Sequence, residues 1–264
     1  MCSLIVVCLF CIEHDALGNE EIDILRMSGI CVNCQLEGLE IEKEEFIRAD
    51  LSDANLNSVK FESVNLQEAN LIGAKLNYST LAGVNCRRCQ LKQAELEGAN
   101  LFYFNGKEAD FSRAILRAAK FAGANLSGAN LSGADLQQAI FVTTNLQNAD
   151  LTGANLSNTY LGSIILYGNV IQSVYLGGAQ LKFANFSGAS LTGLDLRGMD
   201  LRGVNFQGAD LRGADIRGAL LGGADFSGAL LSAASISEGA LQKARNLHAG
   251  SLELLSELWQ WRRQ

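Results

Sequence analysis

The stretch FAGANLSGANLSGADLQQAIF, residues 121–141, repeats a five-residue unit: alanine, an amide or acid, leucine, then two small or polar residues. Outward from Leu126 in steps of five, the large apolar position recurs without a slip from Leu36 to Leu241. That register has 42 positions, and only Cys86 and Gly106 are not Leu, Ile or Phe. Two residues before each lies a smaller register, mostly alanine, as at Ala49, Ala54, Ala69, Ala94, Ala124, Ala129 and Ala214.

An α-helix cannot use this pattern. Steps of five at about 100° per residue turn each leucine by roughly 140° and scatter them around the axis. A straight strand fails as well, because odd spacing alternates faces. With the large residue called i, one solution serves both registers: i−2 and i point inward, i−1 points outward, and i+1 and i+2 turn a corner. The corner positions are rich in Ser, Thr, Gln and Gly, which suit tight turns. The Asp or Asn usual at i−1 can hydrogen-bond nearby backbone. Phe186, Phe206 and Phe226 recur at intervals of 20, as do Phe121 and Phe141. If like rings stack on like, one coil has 20 residues and four sides.

The A(D/N)LXX pattern over residues 35–241 resembles the pentapeptide-repeat proteins. The resemblance implies an all-β solenoid, a right-handed quadrilateral β-helix. With coils about 4.8 Å apart, some ten of them would form a rod on the order of 50 Å long. Each coil touches only its neighbours, so both ends need caps.

The expected caps are short helices. In NEEIDILRMSGI, residues 19–30, Asn19 reads as N-cap and Gly29 as the stop, within a cap covering 19–34. In the C-terminal segment 242–264, SLELLSELWQWRR (251–263) reads as a second helix with Ser251 as N-cap. Its Leu252, Leu255, Leu258 and Trp259 would cover the last coil, and Trp261 is left over for a dimer contact. Residues 1–18 open with the apolar MCSLIVVCLFCI and read either as a secretory signal cut after Gly18 or as a structured or membrane-brushing segment. The first reading places the protein in an exported compartment, the bacterial envelope or a photosynthetic lumen; the second, in the cytoplasm. Membrane contact, if any, is expected only through residues 1–12, since no apolar run reaches the roughly 18–20 residues of a bilayer span.

The net charge of −7 argues against nucleic acid as a partner. Its location says more than its size. Residues 1–53 hold 12 acids and 3 bases, whereas residues 54–241 hold 14 of each. Catalysis has no visible seat: the two histidines, His14 and His248, lie in opposite end regions, and the repeat itself distributes the aspartates. No cofactor, metal or small-molecule substrate is expected.

Seven cysteines include two C-x-x-C pairs, Cys31/Cys34 and Cys86/Cys89. Both occupy inward positions, as buried thiols replacing Leu and Ala or as a disulfide within each pair. At 55 residues, about 2.75 coils, the pairs would lie roughly 13 Å apart along the axis. That is too far for one zinc ion. The opening CVNCQLEG also resembles the C-x-x-C-(D/Q)-L start of some exported pentapeptide-repeat proteins.

The main departure from the pattern is 151–181, which contains no charged residue. At the outward i−1 position it carries Tyr160, Ile165, Val170 and Tyr175 in place of the usual Asp or Asn, and Tyr167 is also outward. These should form an apolar belt one coil high, with Ile140 directly below Tyr160. Exposed belts of this kind mark covered surfaces, here expected to meet a protein partner or a second copy, with cover by the chain's own N-terminal apolar segment as the alternative. A second departure is NLFYFNGKEADF (100–111), where Gly106 empties a core position and Phe104 overfills the preceding one. Volume compensation around a distorted coil is the expected reading, and a contact through exposed Phe102 and Tyr103 is the alternative. Arg197, Arg202, Arg212 and Arg217 sit beside Asp195, Asp200, Asp210 and Asp215 and read as a self-paired, solvated face.

The resulting expectation is a non-catalytic scaffold or protein-binding module. The alternative implied by the resemblance is a DNA-mimicking, topoisomerase (gyrase) binding protein. Such a mimic needs a strongly negative rod, since duplex DNA carries about one charge per 1.7 Å, and these repeats are neutral.

Overall fold

Residues 20 apart lie side by side in the computed structural model, which describes residues 14–161, 164–166, 169–171, 174–176, 179–237 and 244. Outward residues pair in parallel from coil to coil, as in Asp50 with Asn70 and Asn70 with Gln90. The longest parallel pairing among the described residues joins β1 (Glu40–Glu42) to β2 (Lys60–Glu62), with Ile41 opposite Phe61. The chain is a right-handed, four-sided β-helix. Its faces are named below by one coil's outward residues: Lys120, Asn125, Asn130 and Asp135.

Each side is too short for an ordinary strand, and its backbone groups are satisfied between coils. Leu71 N–H donates to the Gln90 carbonyl at 2.7 Å, and Asn70 N–H donates to the Ala49 carbonyl at 2.8 Å. Each corner closes on itself, as where Ala74 N–H donates to the Leu71 carbonyl at 3.1 Å. The corner residue i+2 takes positive φ, the conformation a type II turn requires. Glycine supplies it at many corners, and non-glycine residues such as Arg113 (φ 59°) and Ala118 (φ 53°) adopt it as often. The i−1 carboxamide or carboxylate braces the corner: Ser112 N–H donates to Asp110 Oδ1 at 2.9 Å, and Ser127 N–H to Asn125 Oδ1 at 3.1 Å.

Inside, the two registers form continuous columns. Phe121 stacks on Phe141 with ring centroids 5.0 Å apart, and Phe206 lies 5.7 Å from Phe186 and 5.0 Å from Phe226. Three polar residues take buried i−2 positions. Thr144 and Thr159 donate their hydroxyls to the carbonyls of Phe121 and Leu156 at 2.8 and 2.7 Å, while the Ser79 hydroxyl has no partner.

At the N-terminal end, α1 spans His14–Ser28, starting five residues before the expected Asn19 cap. Ala16 and Leu17 are strong helix formers and extend it, so Asn19 and the bond after Gly18 lie inside the helix. Its end is as expected: Gly29 takes φ 69° and donates its N–H to the Leu25 carbonyl at 2.9 Å. Ile22 and Leu25 are buried in the same cluster as Cys31, Cys34 and Leu36. Arg26 Nε binds Glu44 Oε1 at 2.8 Å, and Gln35 N–H donates to Glu21 Oε2. Residues 1–12 and the C-terminal helix expected at 251–263 lie outside the described residues.

The 20-residue coil holds up to the pairing of Ile140 with Tyr160 and then breaks once. Asp150 pairs with Gln180, Asn155 with Asn185 and Tyr160 with Ser190, each 30 apart, and from Asn185 to Asn205 the interval is 20 again. One coil therefore carries ten extra residues.

Candidate protein-binding surface

The extra residues form a hairpin. β4 (Ile164–Leu166) and β5 (Asn169–Ile171) pair antiparallel, with Ile165 opposite Val170 and Leu166 opposite Asn169. The chain then rejoins the rod through β6 (Val174–Tyr175), which pairs in parallel with β3 (Thr144–Asn145). Every other described pairing between coils is parallel, so the hairpin departs from the solenoid in both direction and partner.

This corrects the expected belt. Tyr160, Ile165, Val170 and Tyr175 do not ring four successive faces of one coil. Tyr160 stays in the coil above Ile140, Ile165 and Val170 face each other across the hairpin, and Tyr175 lies above Asn145. Tyr167 lies outside the described residues. The physical reason is in the inward register. Had these ten residues wound into the coil, Ile164 and Asn169 would fill i−2 positions meant for alanine. Burying an amide without partners costs several kcal/mol on the least forgiving scales, which weighs against the wound arrangement. Asn169 at an alanine position was the available sequence signal.

The cysteines of the two C-x-x-C pairs are joined. The sulfurs of Cys31 and Cys34 are 1.97 Å apart and those of Cys86 and Cys89 2.05 Å, each a disulfide across one corner. Both bonds face the core rather than solvent.

At residues 100–111 the ring of Phe104 occupies the space above Gly106, while Phe102 and Tyr103 stand out at 38% and 76% exposure. The Tyr103 ring lies over Gly123 of the next coil; a Cβ there would meet it at 2.6 Å.

Many charges on the rod are matched locally. Arg197, Arg202, Arg212 and Arg217 each grip the aspartate two residues earlier through two guanidinium nitrogens, at 2.5–2.9 Å. Hydrogen bonding from Arg202 holds the Asp200 carboxyl at about 2. Asp195, Asp210 and Asp215 are lowered for the same reason by Arg197, Arg212 and Arg217. On another corner Arg48 lowers Glu68, and Arg88 lowers Glu108. Among the described residues no helix is long and apolar enough to cross a membrane.

A solenoid of five-residue units, charge-balanced from residue 54 to 241 and interrupted by one antiparallel hairpin, defines a repeat protein. The pentapeptide-repeat model matches residues 30–68, 69–102, 107–133, 129–166, 179–218 and 209–245. The chain belongs to the pentapeptide-repeat family. The matched stretches skip 103–106 and 167–178, at the Phe104–Gly106 irregularity and at the hairpin. HetL, a pentapeptide repeat protein involved in heterocyst differentiation regulation in the cyanobacterium Nostoc sp. strain PCC 7120, is 28% identical over 86% of this chain and 96% of its own, with a TM-score of 0.48. A trypsin-treated QnrB1, a plasmid-mediated fluoroquinolone resistance protein, is 20% identical over 83% and 95%, with a TM-score of 0.34. Rfr23 from the cyanobacterium Cyanothece 51142 is 24% identical over 61% and 92%, with a TM-score of 0.21. No curated protein matches the sequence.

Proposed function

We propose that the protein is a non-catalytic scaffold that binds another protein through the hairpin Ile164–Ile171 and the residues at its base, Ile140, Tyr160 and Tyr175. Ile165 and Val170 are the apolar residues that the hairpin itself brings to the contact; Tyr167, expected beside them, lies outside the described residues. The single observation behind this reading is the hairpin: ten uncharged residues lifted out of an otherwise continuous coil. Loops held by a rigid scaffold are where binding concentrates, and a protruding apolar segment without a partner would be an aggregation hazard.

Removing residues 162–171 tests it. The deletion joins Leu161 to Gln172 and restores the in-phase run Tyr160-Leu161-Gln172-Ser173-Val174-Tyr175-Leu176. The shortened rod should keep its circular dichroism and cooperative melting while losing the host proteins that the full chain retains on affinity purification. An unchanged set of retained proteins would sink the reading. The topoisomerase alternative is disfavoured by charge, because Asp195, Asp200, Asp210 and Asp215 are each neutralised by an arginine. Inhibition of gyrase supercoiling by the intact chain would restore that alternative.

A further inference from the structure

The two irregular segments, some 60 residues apart in sequence, meet on one edge of the rod. Phe102 and Tyr103 occupy the corner after the Lys120 face, and with a 20-residue coil the same corner carries Ala122 and Gly123, then Val142 and Thr143. The hairpin leaves the chain at this corner one coil further on. Beside it run the outward residues of the Lys120 face: Asn100, Lys120, Ile140 and Tyr160, each paired with the next. Together these make a two-column strip ending at the hairpin, with Ile140 at 37% exposure and the Tyr103 ring against the Gly123 corner.

The strip carries a specific charge pattern. Between Thr80 and Tyr160 neither column contains an Asp or Glu, and the one charged residue in it is Lys120. Lys120 is exposed and makes no ion pair among the described residues, whereas Arg117 on the preceding corner is tied to Asp135 at 2.6 Å. A second copy docking by the same strip would set Lys120 against its twin or against apolar groups, with no carboxylate to meet it. Complementarity calls for an apolar partner with a single acid.

The spacing selects the partner's backbone. Apolar groups recur along the strip at the coil spacing of about 4.8 Å. Residues i, i+3, i+4 and i+7 of a helix laid along the rod fall every ~5 Å on one face. Same-face residues of an extended strand recur at ~6.8 Å and lose step within two coils. From Phe102 to the hairpin root is three coils, ~14 Å, which about ten helical residues span. The geometry points to an amphipathic helix of a partner protein, apolar along one face with an acidic residue near its middle, docking on the Phe102–Ile140–Tyr160 strip with its acid on Lys120. This inference rests on the protein-binding reading of the same region and names the partner's chemistry.

The test uses the full chain and a fluorescent, side-chain-stapled helical peptide of 14 residues with Leu at 1, 4, 8 and 11 and Asp at 7, alongside its twin with Lys at 7. Fluorescence anisotropy should show the Asp peptide binding about tenfold more tightly, the worth of one partly exposed charge pair. Lys120→Glu should reverse the preference, and Phe102→Ser with Ile140→Ser should weaken both peptides. Equal binding of the two peptides, no binding, or a preference that survives Lys120→Glu would overturn the inference. So would a dimer of the free chain that Ile140→Asp dissociates, because the occupant would then be a second copy. Deletion of 162–171 leaves the strip in place, so peptide binding that persists while host partners are lost, or the reverse, separates this inference from the hairpin reading.

Discussion

The ring of Phe104 fills the core space that Gly106 leaves empty: a Cβ on Gly106 would meet Phe104 Cε1 at 2.7 Å and Leu126 Cδ2 at 2.9 Å. A large i−2 residue and a missing i residue thus conserve volume within one corner. Phe104→Ala should cost about 3–5 kcal/mol by opening a cavity. Gly106→Leu should cost about 1–3 kcal/mol by overpacking. Phe104→Ala with Gly106→Leu restores the family pattern and should lose at least about 2 kcal/mol less than the sum. Urea denaturation of the three variants measures this, and simple additivity would refute the compensation.

Corner residues with positive φ offer a second check. Ala118 holds φ 53° on the surface, where a Cβ costs roughly 1–2 kcal/mol relative to the right-handed region. Glycine relieves that cost and gives back part of it through its freer unfolded chain. Ala118→Gly should therefore stabilise the rod by up to about 1 kcal/mol, seen as a higher melting temperature. A loss of stability would mean that the methyl group has packing value of its own.

Ser79 is the single buried i−2 hydroxyl without a partner among the described residues. Since an unsatisfied buried hydroxyl costs about 1–3 kcal/mol, Ser79→Ala should stabilise by roughly 1 kcal/mol. Thr159→Ala, which removes a hydroxyl bound to the Leu156 carbonyl at 2.7 Å, should not stabilise. The same denaturation series compares the two.

The aspartate–arginine pairs set the acid response. Asp195, Asp200, Asp210 and Asp215 titrate below their ordinary value of 3.8 in the folded rod, Asp200 at about 2. A carboxyl depressed by folding stabilises fully above its unfolded value, and that contribution disappears as pH falls through the folded one. Stability should thus be flat from neutral pH down to about 5 and fall between about 4 and 2. Replacing Arg197, Arg202, Arg212 and Arg217 with Gln should flatten the fall, as read from urea midpoints across that range. An equally steep fall in the variant would place the acid sensitivity elsewhere.

The five-residue register made most of the fold legible before any coordinates. Leu and Phe at i with Ala at i−2 left only a square coil, Phe186, Phe206 and Phe226 marked its length, and the Asp or Asn at i−1 braced the corners. The candidate site was legible only in part. The sequence of 151–181 marked the region as uncharged and apolar, yet the belt arrangement was wrong. The Asn169 signal was masked by the regular leucines around it. That the Phe102 corner leads to a hairpin root was not visible, because the hairpin follows from the pairings at 30 and not from the five-residue count.

Periodicity alone determined which side chains face inward, and hence the solenoid, its columns and the compensating pair at Phe104 and Gly106. What tertiary structure decided is how many repeats enter each turn. An extrusion of ten residues is two whole repeats, so the register at Leu161 resumes at Leu176 with its phase intact, and no count in steps of five can detect it. The parallel pairings at an interval of 30, such as Tyr160 with Ser190, reveal it. The backbone bonds of the coil, closed 20 residues apart elsewhere, close there at 30, and the competition between burying Asn169 in the core and pairing it across a hairpin is resolved in three dimensions.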